Sequence, residues 1–123
     1  MEYKAKVTNS MISLTKKQEV QFKNFADMEQ LDELTKAGPV LIDLANIVTV
    51  SVHNEKSDNQ DYNKYVYVDK NGGMYISGSE PLYRQACDIM EDMKGSEEDY
   101  AIKVIRKPSA NYKDRDFLTC VIV

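Results

Sequence analysis

The chain has 123 residues, 42% hydrophobic and 29% charged, with eight Tyr, three Phe, no Trp, one His and a net charge of −4. That length and balance favour one globular domain, 1–123, with a core of its own, and argue against chain-wide disorder and against a strongly basic duplex-DNA binder. No apolar run approaches the ~20 residues of a membrane helix, and the start Met1-Glu2-Tyr3-Lys4-Ala5-Lys6 is too polar to open a signal peptide. The expected location is therefore the cytoplasm, with no membrane partner.

Val7, Met11, Ile12 and Leu14 suggest a first strand, and Val20-Gln21-Phe22-Lys23 a second, with Lys16-Lys17 in a turn between them. Met28, Leu31 and Leu34 share a helical face within 27–36, and Gly38-Pro39 breaks the chain. The strongest apolar stretch is 40–53. Val48, Val50 and Val52 alternate there with Thr49, Ser51 and His53, which predicts a strand with one wet face. Asn46 interrupts the pattern and marks a bulge.

A polar loop follows over 54–61. Tyr65-Val66-Tyr67-Val68 and Met74-Tyr75-Ile76 then flank Asp69-Lys70-Asn71-Gly72-Gly73, a hairpin signal because Asn and Gly tolerate positive φ. Ser79-Glu80-Pro81 opens a helix over about 80–94. Ser accepts from free N–H groups, Glu suits the positive end of the dipole, and Pro fits the first turn. Leu82, Ala86, Ile89, Met90 and Met93 form its apolar stripe, and Gly95 ends it. Two strands close the chain, 100–105 and 117–122.

The predicted fold is mainly β with one helix. A helix between strands 3 and 4 of a five-stranded sheet is the order of the OB-fold barrel, which binds oligonucleotides on one face and through its rim loops.

Enzyme chemistry lacks material. With His53 alone, neither a Ser-His-Asp triad nor a multi-His metal site can be assembled. Gly72-Gly73 lacks the Lys-Ser/Thr of a P-loop. The expectation is no catalysis, no cofactor and no metal. Cys87 and Cys120 read as two buried thiols of a reducing compartment, with a disulfide between them as the alternative, and both cysteines, Met90, Met93 and Phe117 read as core residues.

Two groups of residues suit a nucleic acid. If Val66 and Val68 face the core, Tyr65 and Tyr67 stand on an open face beside Lys64, with Tyr75 on the neighbouring strand. Base–ring stacking is worth about 1–3 kcal/mol per base and tolerates any sequence. The second group is the link between the last two strands, where Arg106, Lys107, Lys113 and Arg115 surround Tyr112. Cations there can grip phosphate while the ring stacks a base. Exposed strand edges add an expectation of a homodimer or larger assembly.

The alternative is a protein-interaction inhibitor, for example of a host defence nuclease. Its working surface would be the acids Glu91, Asp92, Glu97, Glu98 and Asp99, which mimic phosphate charge.

Over 40–123 the chain resembles the small single-stranded DNA-binding proteins of phages of Gram-positive bacteria. The resemblance rests on the run Tyr-Val-Tyr-Val-Asp-Lys-Asn-Gly-Gly-Met-Tyr at 65–75 and on Ser77-Gly78-Ser79 before the helix. Ile-Lys-Val-Ile-Arg-Lys at 102–107, Asn111-Tyr112-Lys113 and Phe117-Leu118-Thr119-Cys120 complete it. It implies an OB fold, self-association, and coating of displaced strands in replication or recombination, alongside proteins of those processes. Many bacterial single-strand binders end in an acidic tail; Thr119-Cys120-Val121-Ile122-Val123 is not one, which puts recruitment by that route in doubt.

Overall fold

A computed structural model describes residues 3–108 and 116–123. In chain order they form β1 (Tyr3–Ser10), α1 (Lys16–Gln21), β2 (Glu29–Gln30), α2 (Leu31–Ala37), β3 (Val40–Ile42), β4 (Leu44–Asn54) and β5 (Asp61–Asp69). β6 (Met74–Ser77), α3 (Glu80–Met93), β7 (Ile102–Pro108) and β8 (Asp116–Ile122) follow. None of the described helices is long and apolar enough to cross a membrane.

The fold is mainly β, but the expected single five-stranded barrel is replaced by two sheets. One has the order β1-β4-β5-β6-β2 and the other β3-β7-β8, and among the described residues no closed barrel forms. The division begins at Asp43, where the apolar stretch 40–54 breaks into β3 and β4. β3 pairs with β7 and β4 with β5, so one stretch of chain feeds both sheets. α3 lies between β6 and β7 in sequence, with Ser79 as its N-cap and Pro81 in its first turn.

Local chemistry explains two differences from the sequence reading. Residues 16–21 are helix rather than turn and strand. Thr15 Oγ1 accepts from the Gln18 N–H (3.2 Å) and Gln18 Oε1 accepts from the Thr15 N–H (2.9 Å), a reciprocal capping box that satisfies two free donors. In the β5–β6 hairpin only Gly72 has positive φ, +91°. Gly72 N–H donates to Asp69 O and Asp69 N–H to Gly73 O, which makes a three-residue loop closed by the glycine.

Asn46 does mark a bulge: the β4–β5 register skips between Leu44 and Asn46. Its buried side chain accepts from Ile12 N–H (3.0 Å) and donates to Ser10 Oγ (2.9 Å), tying the end of β1 to β4.

Both faces of the larger sheet are covered. Val48, Val50, Val52, Val66 and Ile76 pack with Phe22 and Met28 on one side. Ile47, Tyr65 and Tyr67 pack on the other with Leu82 and Ala86 of α3 and with Ile42, Ile102, Val104, Leu118 and Cys120 of the second sheet. The expected wet face of β4 is therefore restricted to its far end, at Ser51 and His53; Thr49 is buried.

Candidate nucleic-acid interface

Alternation does separate Tyr65 and Tyr67 from Val66, yet the tyrosines are not on an open face. Tyr67 is fully buried, and Tyr65 is 7% exposed. The Tyr65 ring stacks on Tyr83 of α3 with centroids 4.0 Å apart and planes 17° from parallel. Tyr83 is held in turn: its hydroxyl meets Thr49 Oγ1 (3.2 Å) and Asn9 Nδ2 (3.3 Å). Burial, above all, pushes the Tyr67 hydroxyl well above the ordinary tyrosine pKa. These rings are core because β5 lies inside the sheet with a helix above it.

The other candidates scatter. Lys64 is half-buried on the opposite face from Tyr65, with its Nζ 6.0 Å from the Tyr62 ring centroid. Tyr75, half-buried, sits directly opposite Tyr67, and burial followed by the Glu29 and Asp69 carboxylates raises its hydroxyl pKa. Arg106 turns inward. Its Nη2 donates to the Asp32 carbonyl (2.6 Å) and its Nη1 lies 3.6 Å from Asp116 Oδ2, so the half-buried side chain ties β7 to α2 and β8. Tyr112, Lys113 and Arg115 lie outside the described residues. Lys107 is exposed.

Lys107 belongs to a surface the sequence reading missed. In β3-β7-β8, Ile42, Ile102, Val104, Leu118 and Cys120 are 0–2% exposed and define the inner face. Alternation sends Leu41, Lys103, Ile105, Lys107, Phe117, Thr119 and Val121 to the outer face. Register aligns them in rows: Leu41 beside Lys103 beside Val121, Ile105 beside Thr119, and Lys107 beside Phe117. Leu41 is 61% exposed, Val121 42% and Phe117 37%. Phe117, expected in the core, is thus an open ring directly across from a lysine. The signal was available: Lys103 and Lys107 share one parity on β7, as do Phe117 and Val121 on β8.

The remaining groups are structural or solvated. Burial, then the nearby Cys87, pushes the Cys120 thiol up to about 11. Both cysteines are free, Cys120 buried and Cys87 half-buried, and Met90 and Met93 are half-buried against α3's neighbours. His53 Nδ1 lies 2.7 Å from Asp61 Oδ1, a surface pairing between β4 and β5. Among the described residues no three His, Cys, Asp or Glu side chains converge as a metal site. The acids Glu91, Asp92, Glu97, Glu98 and Asp99 are all exposed.

A scan against protein-family models, a search of curated proteins and a search of solved structures each gave no match. None of the three supports the resemblance to phage single-strand binders.

Proposed function

We propose that this chain binds single-stranded DNA, without catalysis and without sequence preference, across the outer face of β3-β7-β8 and the 109–115 link. The observation that carries the reading is Lys107 directly opposite Phe117, both exposed among the described residues, on the outer face of the smaller sheet. A cation and a ring side by side offer one phosphate contact and one stacking platform. Lys103 extends the cationic row, and the adjoining link adds Tyr112, Lys113 and Arg115 by sequence. An OB-type arrangement is part of the proposal. One bent stretch, 40–54, serves two sheets, and a helix precedes the final hairpin, the order such barrels share. The role that suits such a binder is coating displaced strands during phage replication or recombination in the host cytoplasm.

Titration of fluorescent oligo-dT, with a duplex of equal length beside it, tests the reading. The single strand should bind more tightly, and its affinity should fall as salt rises because phosphate contacts release counterions. Equal affinity for both forms removes the stacking argument. No binding to either removes the proposal and turns attention to the exposed acids of 91–99 as an inhibitor's surface.

A further inference from the structure

One apolar groove joins segments far apart in sequence. It is lined by Met11 and Ile12, which follow β1, by Met90 and Met93 near the end of α3, and by Tyr100. Its volume is about 190 Å³. A closed apolar cavity of about 150 Å³ takes a benzene ring, so the groove admits one large apolar side chain. Part of the lining is adaptable, because methionine is unbranched and reshapes to fit what it meets. Part is fixed. Met11 N–H donates to the Ile47 carbonyl (3.1 Å) and Ile12 N–H to Asn46 Oδ1 (3.0 Å), so the Asn46 bulge holds Ile12 in place although it is 51% exposed.

The surroundings of the groove are acidic. Glu91 lines it beside Lys94, and Asp92, Glu97, Glu98 and Asp99 follow, all exposed. Among the described residues only Asp99 of these five acids enters an ion pair, with Lys70 at 3.9 Å. The turn that presents them is hydrogen-bonded: Ser96 N–H donates to the Met93 carbonyl (3.0 Å) and Glu98 N–H to Ser96 Oγ (3.2 Å). We propose that the groove docks a short segment of another protein, one large apolar side chain seated among the methionines with Lys or Arg on either side of it facing the acids. Apolar contact supplies affinity, and the acids select a basic segment over the many apolar ones that would otherwise fit. An inhibitor that copies phosphate charge needs the acids alone; this docking needs the groove as well. None of these residues belongs to the outer face of β3-β7-β8, so the docking does not rest on the single-strand reading.

Panning a random peptide library, displayed on phage, against the immobilised full chain without DNA tests it. Enriched peptides should share one large apolar residue flanked by Lys or Arg. The consensus, made as a labelled peptide and read by fluorescence polarisation, should bind about tenfold more weakly to Ile12→Ser and to Met93→Ser, each the loss of one apolar contact. Glu97→Lys combined with Glu98→Lys should also weaken it about tenfold and flatten its salt dependence. Phe117→Ala should leave peptide binding unchanged. Ile12, Glu97 and Glu98 are exposed, so circular dichroism should show those variants folded whatever Met93→Ser does. No enriched family, basic peptides without an apolar anchor, apolar peptides without a charge preference, or an affinity unchanged by Ile12→Ser each overturns the proposal. So does a wild-type dimer, seen by light scattering, that Ile12→Ser splits, because the groove then belongs to a second copy. Peptide binding is read without DNA, so failure here leaves the single-strand proposal to its own titration.

Discussion

Replacing Tyr67 separates a core role from a binding role. Tyr67 is among the largest fully buried side chains, opposite Ile47 on β4 and Tyr75 on β6. Truncating a buried aromatic removes its transfer energy and leaves a cavity, and costs about 3–5 kcal/mol. A small domain holds only about 5–15 kcal/mol in total, so Tyr67→Ala should sit near the edge of folding. Its melting temperature should fall by roughly 10–20 °C, at a few degrees per kcal/mol for a domain of this size. Tyr67→Phe should do the opposite. Among the described residues the hydroxyl is buried without a hydrogen-bond partner, and an unsatisfied buried polar group costs about 1–3 kcal/mol. Removing it while keeping the ring should raise stability by about 1 kcal/mol or more. Urea unfolding followed by circular dichroism suits a chain without tryptophan. A Tyr67→Ala protein as stable as the wild type but unable to bind oligo-dT would return the ring to an open face and refute the burial argument. A Tyr67→Phe protein less stable than the wild type would mean that the hydroxyl makes a bond of real value.

On the outer face of the smaller sheet, Phe117→Ala should cost about 1–3 kcal/mol of oligo-dT affinity with the salt slope unchanged. Lys103→Ala and Lys107→Ala should each flatten that slope by about one counterion; slopes equal to wild type would exclude both from phosphate contact. Gly72 at φ +91° should resist a side chain: Gly72→Ala should lower stability by about 1–2 kcal/mol in urea melts, and no loss would mean that the turn rearranges freely. Stability should also fall from about pH 9 toward pH 11. The unfolded Cys120 thiol ionises near its ordinary value while the folded one holds its proton up to about 11, so the unfolded state binds fewer protons across that window. Tyr67 acts in the same direction above pH 10. A melting temperature that stays level across the window would count against this, and Cys120→Ala should reduce the fall.

Periodicity located the Asn46 bulge, the hairpin around Gly72 and the helix begun by Ser79, because each depends on neighbours within a few residues. The cover on each face was not legible in that way. Alternation divides Tyr65 and Tyr67 from Val66, but it says nothing of whether α3 lies above one set or Phe22 and Met28 below the other. Those contacts join residues far apart in sequence. The same limit sent Phe117 to the core, although its alternation with Leu118 was visible. Helix α1 is different: its capping box, Thr15 with Gln18, was readable and outweighs the strand preference of Val20 and Phe22. Arg106 was assigned to phosphate because Asp32, whose carbonyl holds it, lies 74 positions away.

The Asp69 carboxylate joins two of these features. One oxygen accepts from the Asn71 N–H inside the hairpin turn (2.8 Å), and the other from the Asp43 N–H at the break between β3 and β4 (3.0 Å). Lys70 N–H donates back to the Asp43 carbonyl (2.8 Å). The turn therefore works as the bracket that sets one sheet against the other, and lengthening it would re-aim the outer face of β3-β7-β8. Grafted epitopes and fusion partners belong instead in 55–59, where the backbone bonds in view, Asn54 N–H to Gln60 O and Ser57 N–H to Asn54 O, stay within the loop and its ends.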